Sequence, residues 1–390
     1  MISVTEALSH LFALARPLAS EWVPLAEAHG RVLAQPVQAL RDQPPFSASA
    51  MDGYALRNAE VAAAAQFTVI GEAAAGHGFA GSVGPGQAVR IFTGAPLPDG
   101  TDRVVIQEDV DRQGDIITLK PDLDPSPYVR AKGSDFAKGQ TIPAPKSLGA
   151  NDIALMAAMN IAEVPVTRRP VVAILSTGDE LVMPGDTPGP DQIIVSNSFG
   201  LQAMLRDLGC ETRLLPIARD TEASLRAAFS HCEDVDLVIT IGGASVGDHD
   251  LVGQVAADLG MERSFYKIAM RPGKPLMAGR LAGAMLLGLP GNPVSAQVCG
   301  HVFMRPILRQ MQGLAHPIEA PKTGTLAAPI EKNGPRQHYM RAIQTDDGLI
   351  AAPSQDSART AIMSGAQALI IRPPNAPAAE AGTPVSYLTL

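Results

Sequence analysis

The chain has 390 residues, of which 46% are hydrophobic and 18% charged, so it can bury several cores and its length favours about two to four domains. Its formal net charge is −8, and the lysines and arginines are scattered, which argues against nucleic acid as a partner. It contains no uncharged apolar run long enough to span a membrane, and Glu6 and His10 interrupt the N-terminal apolar stretch, which excludes a signal peptide of the usual pattern.

The first third of the chain predicts a small β domain inserted into a helical one. Residues 3–15 and 22–40 have helical spacing and precede the break at Pro44 and Pro45. Short β-like runs between Gly-rich and Pro-rich turns then predict a mostly β domain over residues 46–145. A helix predicted at 149–159 would pack back, so we expect a discontinuous N-terminal linker domain made of residues 1–45 and 146–169.

Strands and helices alternate from residue 170, which predicts a parallel α/β sheet over residues 170–317. The predicted strands are VVAIL at 171–175, TRLLPI at 212–217, DLVITI at 236–241 and MLLGL at 285–289, with helices near 198–208, 221–231 and 250–259. A long helix is expected after Pro293. Residues 318–390 return to short apolar runs with turns, which indicates a small C-terminal β domain of barrel-like form.

Acidic residues follow three of the predicted strands, where the carboxyl ends of parallel strands form a ligand crevice. Each acid alone is more often a helix cap or a turn residue, but three loops that converge favour a Mg²⁺ site completed by water and phosphate oxygens. The acids are Asp179 and Glu180, then Asp220, then Asp248 and Asp250.

A cationic turn is predicted to face these acids. Arg271 and Lys274 stand three residues apart on a backbone stiffened by two prolines, with Gly273 between them, and this pattern suits a small oxyanion. The alternative is a solvated hairpin turn. Backbone amides of Gly242, Gly243 and neighbouring residues would add neutral donors, whereas Pro290 and Pro293 would shape the cleft wall.

Other residue types give no chemical signal. The histidines have no recognised metal spacing, and Trp22 is interpreted as packing or surface. Cys210, Cys232 and Cys299 have neither disulfide nor zinc spacing, so they are interpreted as inert thiols in a reducing cytoplasm.

Eight motifs in order make the whole chain resemble the molybdopterin molybdenumtransferase (MoeA) family, which includes the gephyrin E domain. The resemblance implies that adenylylated molybdopterin and molybdate yield molybdenum cofactor and AMP with the assistance of Mg²⁺, and that the α/β domain is of the molybdopterin-binding type. The motifs are SAMDGYA at 49–55, VRIFTGAPLP at 89–98, KGSDF at 132–136, STGDEL at 176–181, IVSNS at 194–198, GGASVGDHD at 242–250, RPGKP at 271–275 and GLPGNP at 288–293.

The same resemblance implies roles for individual residues. Asp220 and Asp250 would position the metal and assist cleavage of the phosphoanhydride, supported by Glu180 as a further metal ligand. A second group would hold molybdate or phosphate oxygens: Ser245, Arg271, Lys274 and Pro275, with Arg341 and Ser364 from the C-terminal domain.

The family pattern further implies a homodimer, because Asp52, Thr93 and Asp135 of one subunit would complete the cleft of the other. Without the resemblance, Asp52-Gly53 would be interpreted as an ordinary turn. Ala244, His249 and Arg271 depart from the commonest family residues. Arg271 stands where lysine is frequent, so a planar guanidinium group replaces a compact ammonium charge, and the preference for molybdate or tungstate stays open.

Two other functions fit parts of the sequence. Molybdopterin adenylyltransferases share the α/β loops but lack counterparts of SAMDGYA and the terminal β domain. A dimeric scaffold without catalysis is the second alternative, and the intact acids in three loops argue against it. Contacts with a molybdopterin adenylyltransferase and with cofactor-accepting enzymes are expected, and a membrane partner is not.

Overall fold

The computed structural model describes residues 1–243 and 251–390. Its first helix, α1 (Val4–Leu14), starts with a capping box in which Ser3 Oγ accepts from Glu6 N and Ser3 N donates to Glu6 Oε2. The buried face of α1 packs into the core of the α/β domain, although the sequence prediction groups residues 1–45 with the linker domain. In the part of the chain that the structure describes, no helix has the length and apolar character needed to cross a membrane.

The predicted helix at 22–40 is wrong, because this segment forms short strands around the 3-10 turn Leu25–Glu27. Pro24, Gly30 and Pro36 interrupt the helical spacing, and antiparallel pairing with a distant strand replaces it. The four-stranded sheet has the order Ser20–Pro24, Glu163–Thr167, Val32–Leu33 and Lys146–Ser147, and Val37–Gln38 pairs separately with Thr141–Ile142. The predicted helix at 149–159 is confirmed as α2 (Ala150–Ala158), and its core contains residues from both flanks of the inserted domain.

The inserted domain is β-rich, as predicted. Gly53, the residue after Asp52, lies very close to the neighbouring strand of the main sheet, because a Cβ on Gly53 would lie 2.1 Å from Val105 O. This position therefore requires glycine. The six-stranded sheet has the order Arg103–Ile106, Gly53–Leu56, Gln87–Ile91, Gln66–Ala73, Ile116–Leu119 and Val110–Gln113. A separate pair joins Ala48–Ser49 to Val129–Arg130.

Within the described residues, the main sheet of the α/β domain has six strands: β1 (Val171–Ser176), β2 (Glu211–Leu214), β3 (Leu237–Ile241), β4 (Glu262–Lys267), β5 (Pro275–Leu281) and β6 (Ala284–Leu289). Their order is β2-β1-β3-β6-β5-β4, and the first four are parallel. The sheet is mixed rather than wholly parallel, because β5 and β6 form a hairpin through Ala282 and Gly283, whose φ values of 48° and 89° fit a tight turn. A separate parallel pair joins Leu181–Val182 to Ile193–Ile194.

The helices of this domain match the predicted positions. Leu201 and Leu205 of one helix and Leu225 and Phe229 of the next belong to the two buried clusters that flank the sheet. The predicted long helix after Pro293 is continuous but contains a π-helical segment at Gly300–Met304. The helices are α3 (Asn197–Asp207), α4 (Glu222–Ser230), α5 (Leu251–Asp258), α6 (Pro293–Cys299) and α7 (Arg305–Met311).

The C-terminal sheet is joined to the α/β domain through the cationic turn. The strand Met270–Arg271 pairs in parallel with Gln337–Thr345, and the bridge between Leu326 and Leu349 curls the sheet into the predicted barrel-like form. The remaining elements are Lys322–Thr325, Gly348–Ala351, α8 (Thr360–Ser364), Ala368–Arg372 and Pro384–Thr389.

Candidate active site

The acidic edge is built from the turn after β1 and the loop after β2. Arg219 stabilises the turn after β1, because its Nη1 donates to the carbonyls of Gly178, Asp179 and Leu181 at 3.4, 2.9 and 3.2 Å. Asp220 N donates to Asp179 Oδ1 at 3.1 Å, which joins the two loops directly. Sequence reasoning missed Arg219, although its place immediately before the predicted catalytic Asp220 was a usable signal.

The carboxylates at this edge lack cationic partners. Partial burial raises the pKa of Asp220, and the negative charges of Asp179 and Glu180 raise it further. Across residues 1–243 and 251–390, no ion pair involves any of these three acids. Arg219 bonds to backbone carbonyls of this turn rather than to a carboxylate, so a bound cation would still reduce the repulsion among the three acids.

Glu180 and Asp220 line a cleft of about 960 Å³ at the carboxyl ends of the parallel strands. Gly242 and Gly243 have φ values of 92° and 63°, and a Cβ on Gly242 would lie 2.7 Å from Thr177 O. Only glycine fits this backbone easily. The predicted site residues that share the cleft are Glu180, Asp220, Gly242, Gly243, Pro275, Pro290 and Pro293.

The cleft also contains polar residues that sequence reasoning left without a role. Asn197, in the IVSNS motif, donates through Nδ2 to Gly291 O at 2.6 Å and so ties helix α3 to the turn before α6. The hydroxyls of Ser176 and Thr177 are buried and have no hydrogen-bond partner within the described chain. Both line the cleft at the end of β1, where a ligand would satisfy them.

Two central predictions cannot be placed. Ser245 and Asp250 lie outside the described residues, as do Ala244, Asp248 and His249.

The cationic turn borders a second cavity of about 350 Å³, next to the cleft. Arg271 and Lys274 both line it and are exposed, and Pro275 and Asn292 line both cavities. Gly273 has a φ of 103°, and a Cβ there would lie 2.5 Å from Cys299 Sγ, so the turn requires glycine. The acidic and cationic loops therefore meet around Pro275, as the sequence predicts.

The two C-terminal residues of the predicted oxyanion group differ in their surroundings. Arg341 is 1% exposed, donates through N and Nε to Gln355 Oε1, and donates through Nη1 to Asp356 O at 2.8 Å. Gln355 and Asp356 line the second cavity, so Arg341 supports its wall from behind. Ser364 is exposed at the end of α8 and is absent from the described linings of both cavities.

The three residues predicted to act in trans lie on the inserted domain. Asp52 Oδ1 accepts from Thr93 N and Thr93 Oγ1, both at 2.8 Å, and the backbone hydrogen bond is the largest cause of the lowered pKa of Asp52. Asp135 is exposed, and its N donates to Gln43 O at 2.9 Å. In the described chain none of the three lines its own cleft.

Known proteins resemble this chain along its full length. Residues 2–160 match the family model described as "MoeA N-terminal region (domain I and II)", residues 173–310 match "Probable molybdopterin binding domain", and residues 323–390 match "MoeA C-terminal region (domain IV)". A molybdopterin molybdenumtransferase of Nostoc is 39% identical over 329 residues, covering 81% of this chain and 76% of the relative. The chain belongs to the molybdopterin molybdenumtransferase (MoeA) family.

Further relatives extend the match. A molybdopterin molybdenumtransferase of Bacillus subtilis is 31% identical and covers 100% of this chain and 94% of its own length. A crystal structure described as a molybdopterin biosynthesis MoeA protein from Pyrococcus horikoshii has a TM-score of 0.87 at 26% identity, with 100% of both chains covered. The arrangement of α/β and β domains is therefore that of the MoeA family.

Proposed function

We propose that this chain is the enzyme that inserts molybdate into adenylylated molybdopterin, releasing AMP and giving molybdenum cofactor. The observation that carries the proposal is the contact between two cavities of opposite charge. Glu180 and Asp220 line one, Arg271 and Lys274 line the other, and Pro275 borders both. A substrate with a phosphoanhydride fits the acidic cleft when a cation accompanies it, and molybdate fits the cationic cavity.

The acidic edge suits Mg²⁺ by its donor chemistry. Mg²⁺ accepts one or two carboxylates together with waters and substrate phosphate oxygens, and partial burial, followed by the negative charges of Asp179 and Glu180, raises the pKa of Asp220. Glu180 and Asp220 would hold the ion, together with Asp250 by family resemblance.

When bound, Mg²⁺ would neutralise charge on the phosphoanhydride. The remaining roles would fall to residues of the chain itself. Arg219 would hold the Asp179–Glu180 turn in place. The buried hydroxyls of Ser176 and Thr177 would bind polar groups of the substrate, and Lys274 would orient molybdate. A preorganised site of this kind lowers the barrier without moving during the reaction.

The reaction is tested by two parallel incubations of the purified chain. One contains molybdopterin and ATP, and the other contains adenylylated molybdopterin, molybdate and Mg²⁺. We expect AMP and molybdenum cofactor in the second only. Turnover confined to the first incubation would identify an adenylyltransferase instead, and no turnover in either would favour the scaffold alternative.

We also propose that the active form is a homodimer in which Asp52, Thr93 and Asp135 reach the partner's cleft. In the described chain, these three residues do not line the cleft of their own subunit, which supports a role in the cleft of the partner. Mixing Asp52→Ala subunits with Asp220→Ala subunits should restore up to about a quarter of wild-type activity, since half the dimers are mixed and each has one intact site. Absence of any recovery after subunit exchange would contradict a shared site.

A further inference from the structure

The backbone of the turn that presents Asp52 is tied to neighbouring segments of the inserted domain. Ser49 is fully buried, and its Oγ donates to Met51 O at 2.5 Å, while its N donates to Ala95 O at 3.0 Å. On the other side of the turn, Gln107 N donates to Asp52 O at 3.1 Å. Hydrogen bonds from both sides therefore fix the path of the chain at Asp52.

The carboxylate of Asp52 uses only one of its two oxygens inside the inserted domain. Oδ1 accepts from both the N and the Oγ1 of Thr93, and no hydrogen bond within the described chain engages Oδ2. Thr93 is exposed, so the two residues, called here the Asp52–Thr93 pair, lie at the surface of the domain. Asp52 thus combines a fixed orientation with an oxygen that can contact a ligand in another subunit.

Arg90, from the VRIFTGAPLP motif, bridges the two segments that flank Asp52. It stands opposite Tyr54 in the antiparallel pairing of the main sheet. Its Nη1 donates to Gly53 O at 3.0 Å, and its Nη2 donates to Gln107 Oε1 at 2.7 Å. Since Gly53 follows Asp52 in the chain and Gln107 donates to Asp52 O, one guanidinium group holds both sides of the turn.

Two aromatic rings hold this guanidinium group in place. The Cζ of Arg90 lies 5.2 Å from the ring centroid of Tyr54 and 4.7 Å from that of Phe92, the residue before Thr93. These cation–π contacts add to the two hydrogen bonds, so the position of Arg90 is well defined. The pKa of Asp52 is lowered first by the hydrogen bonds from Thr93 and then by the positive charge of Arg90, which together keep the carboxylate ionised.

We propose that Arg90 is a positioning residue for the shared site, because it holds the Asp52–Thr93 pair in the orientation in which the pair enters the cleft of the partner subunit. The inference rests on the proposed function and on the proposed homodimer, in which Asp52 acts in trans. Both terminal nitrogens of Arg90 already donate within the inserted domain, to Gly53 and Gln107. Its effect on the reaction therefore passes through Asp52 rather than through a contact with substrate.

A double-mutant cycle on AMP release, measured with the full chain in excess over substrate, separates positioning from general support of the fold. Arg90→Met should lower the rate about tenfold in the wild-type background and by less than about twofold in the Asp52→Ala background, because a residue that acts through Asp52 has no effect without it. Arg90→Lys keeps the charge but not the planar fork, so it should recover only part of the rate. Arg112→Met, at an exposed position on the far edge strand of the same sheet, is the matched control and should keep the wild-type rate.

Amide hydrogen exchange tests the same contacts without turnover. The Thr93 amide donates to Asp52 Oδ1, so it should exchange about tenfold faster in Arg90→Met, because loss of the clamp favours local opening of the turn. The amides of Ile116–Leu119 in the same sheet should keep their wild-type exchange rates.

Four results would each overturn the proposal: additive losses in the cycle, full activity of Arg90→Lys, unchanged exchange at Thr93, or equally faster exchange throughout the sheet. Faster exchange confined to the turn, in a chain whose wild-type form releases no AMP, would refute the proposed function instead. Arg90 would then still be the residue that orients the Asp52–Thr93 pair.

Discussion

The acidic edge and the buried group of His338, Arg341 and Arg372 in the C-terminal sheet differ in charge and in construction. Glu180 and Asp220 line an open cleft, where Arg219 donates to backbone carbonyls of the Asp179–Glu180 turn, whereas His338 and Arg341 are buried within a sheet. Salt screens exposed charges, whereas buried charges cost stability unless they are paired. Under the proposed function, the acidic edge acts on the phosphoanhydride and the cationic turn binds the oxyanion, and Pro275 lines both cavities.

The largest expected effect comes from removing the central charge of the acidic edge. Asp220→Asn keeps the size of the side chain but cannot hold a cation as a carboxylate does. We expect the rate of AMP release at saturating substrates to fall about 100- to 1000-fold, the range found when one preorganised stabilising group is lost.

Asp191→Asn is the matched control, because Asp191 is an exposed acid between the two cleft strands Leu181–Val182 and Ile193–Ile194 and does not line the cleft. Its rate should stay within a factor of two of wild type by about the tolerance of surface substitutions. Equal losses in both variants would show that general charge, rather than Asp220, is needed.

The next effect tests the buried side of the comparison. His338 has its pKa lowered from 6.5 to about 4, so the folded chain holds it neutral while the unfolded chain binds a proton below pH 6.5. Stability is therefore lost as the pH falls through this window, by up to about 3 kcal/mol from His338. Chemical denaturation between pH 7 and 4 should give a shallower loss for His338→Gln than for wild type.

The control for this experiment is His316→Gln, at an exposed position. It should keep the wild-type pH dependence. A pH dependence that is unchanged in His338→Gln would contradict the role of this buried group.

The smallest effect concerns positioning. Arg219→Met removes the three hydrogen bonds that hold the Asp179–Glu180 turn, and we expect AMP release to fall about tenfold, equivalent to about 1.4 kcal/mol. The Mg²⁺ concentration for half-maximal rate should rise as well, which loss of folding alone would not cause. Arg206→Met, an exposed arginine on α3, is the control and should leave both parameters unchanged.

How much the sequence predicted depends on how local each signal is. Asp220 and the turn after β1 were predictable because parallel strands bring their carboxyl ends to one edge. The strands at 22–40 were not, since their pairing with Glu163–Thr167 overrides a local helical pattern. His338 and Arg372 come from separate strands of the C-terminal sheet, and only the register of these strands brings them together. No spacing in the sequence therefore predicts that the two residues are neighbours.

The acidic edge and the cationic turn are proposed to have separate roles. The most direct test measures AMP release as a function of molybdate concentration in Asp220→Asn and Lys274→Met side by side. We predict that Asp220→Asn lowers the maximal rate and leaves the half-saturating molybdate concentration unchanged. Lys274→Met should raise that concentration about tenfold, through loss of a charged contact, with a smaller change in maximal rate. A rise in half-saturating molybdate in Asp220→Asn, or none in Lys274→Met, would contradict the separation of the two sites.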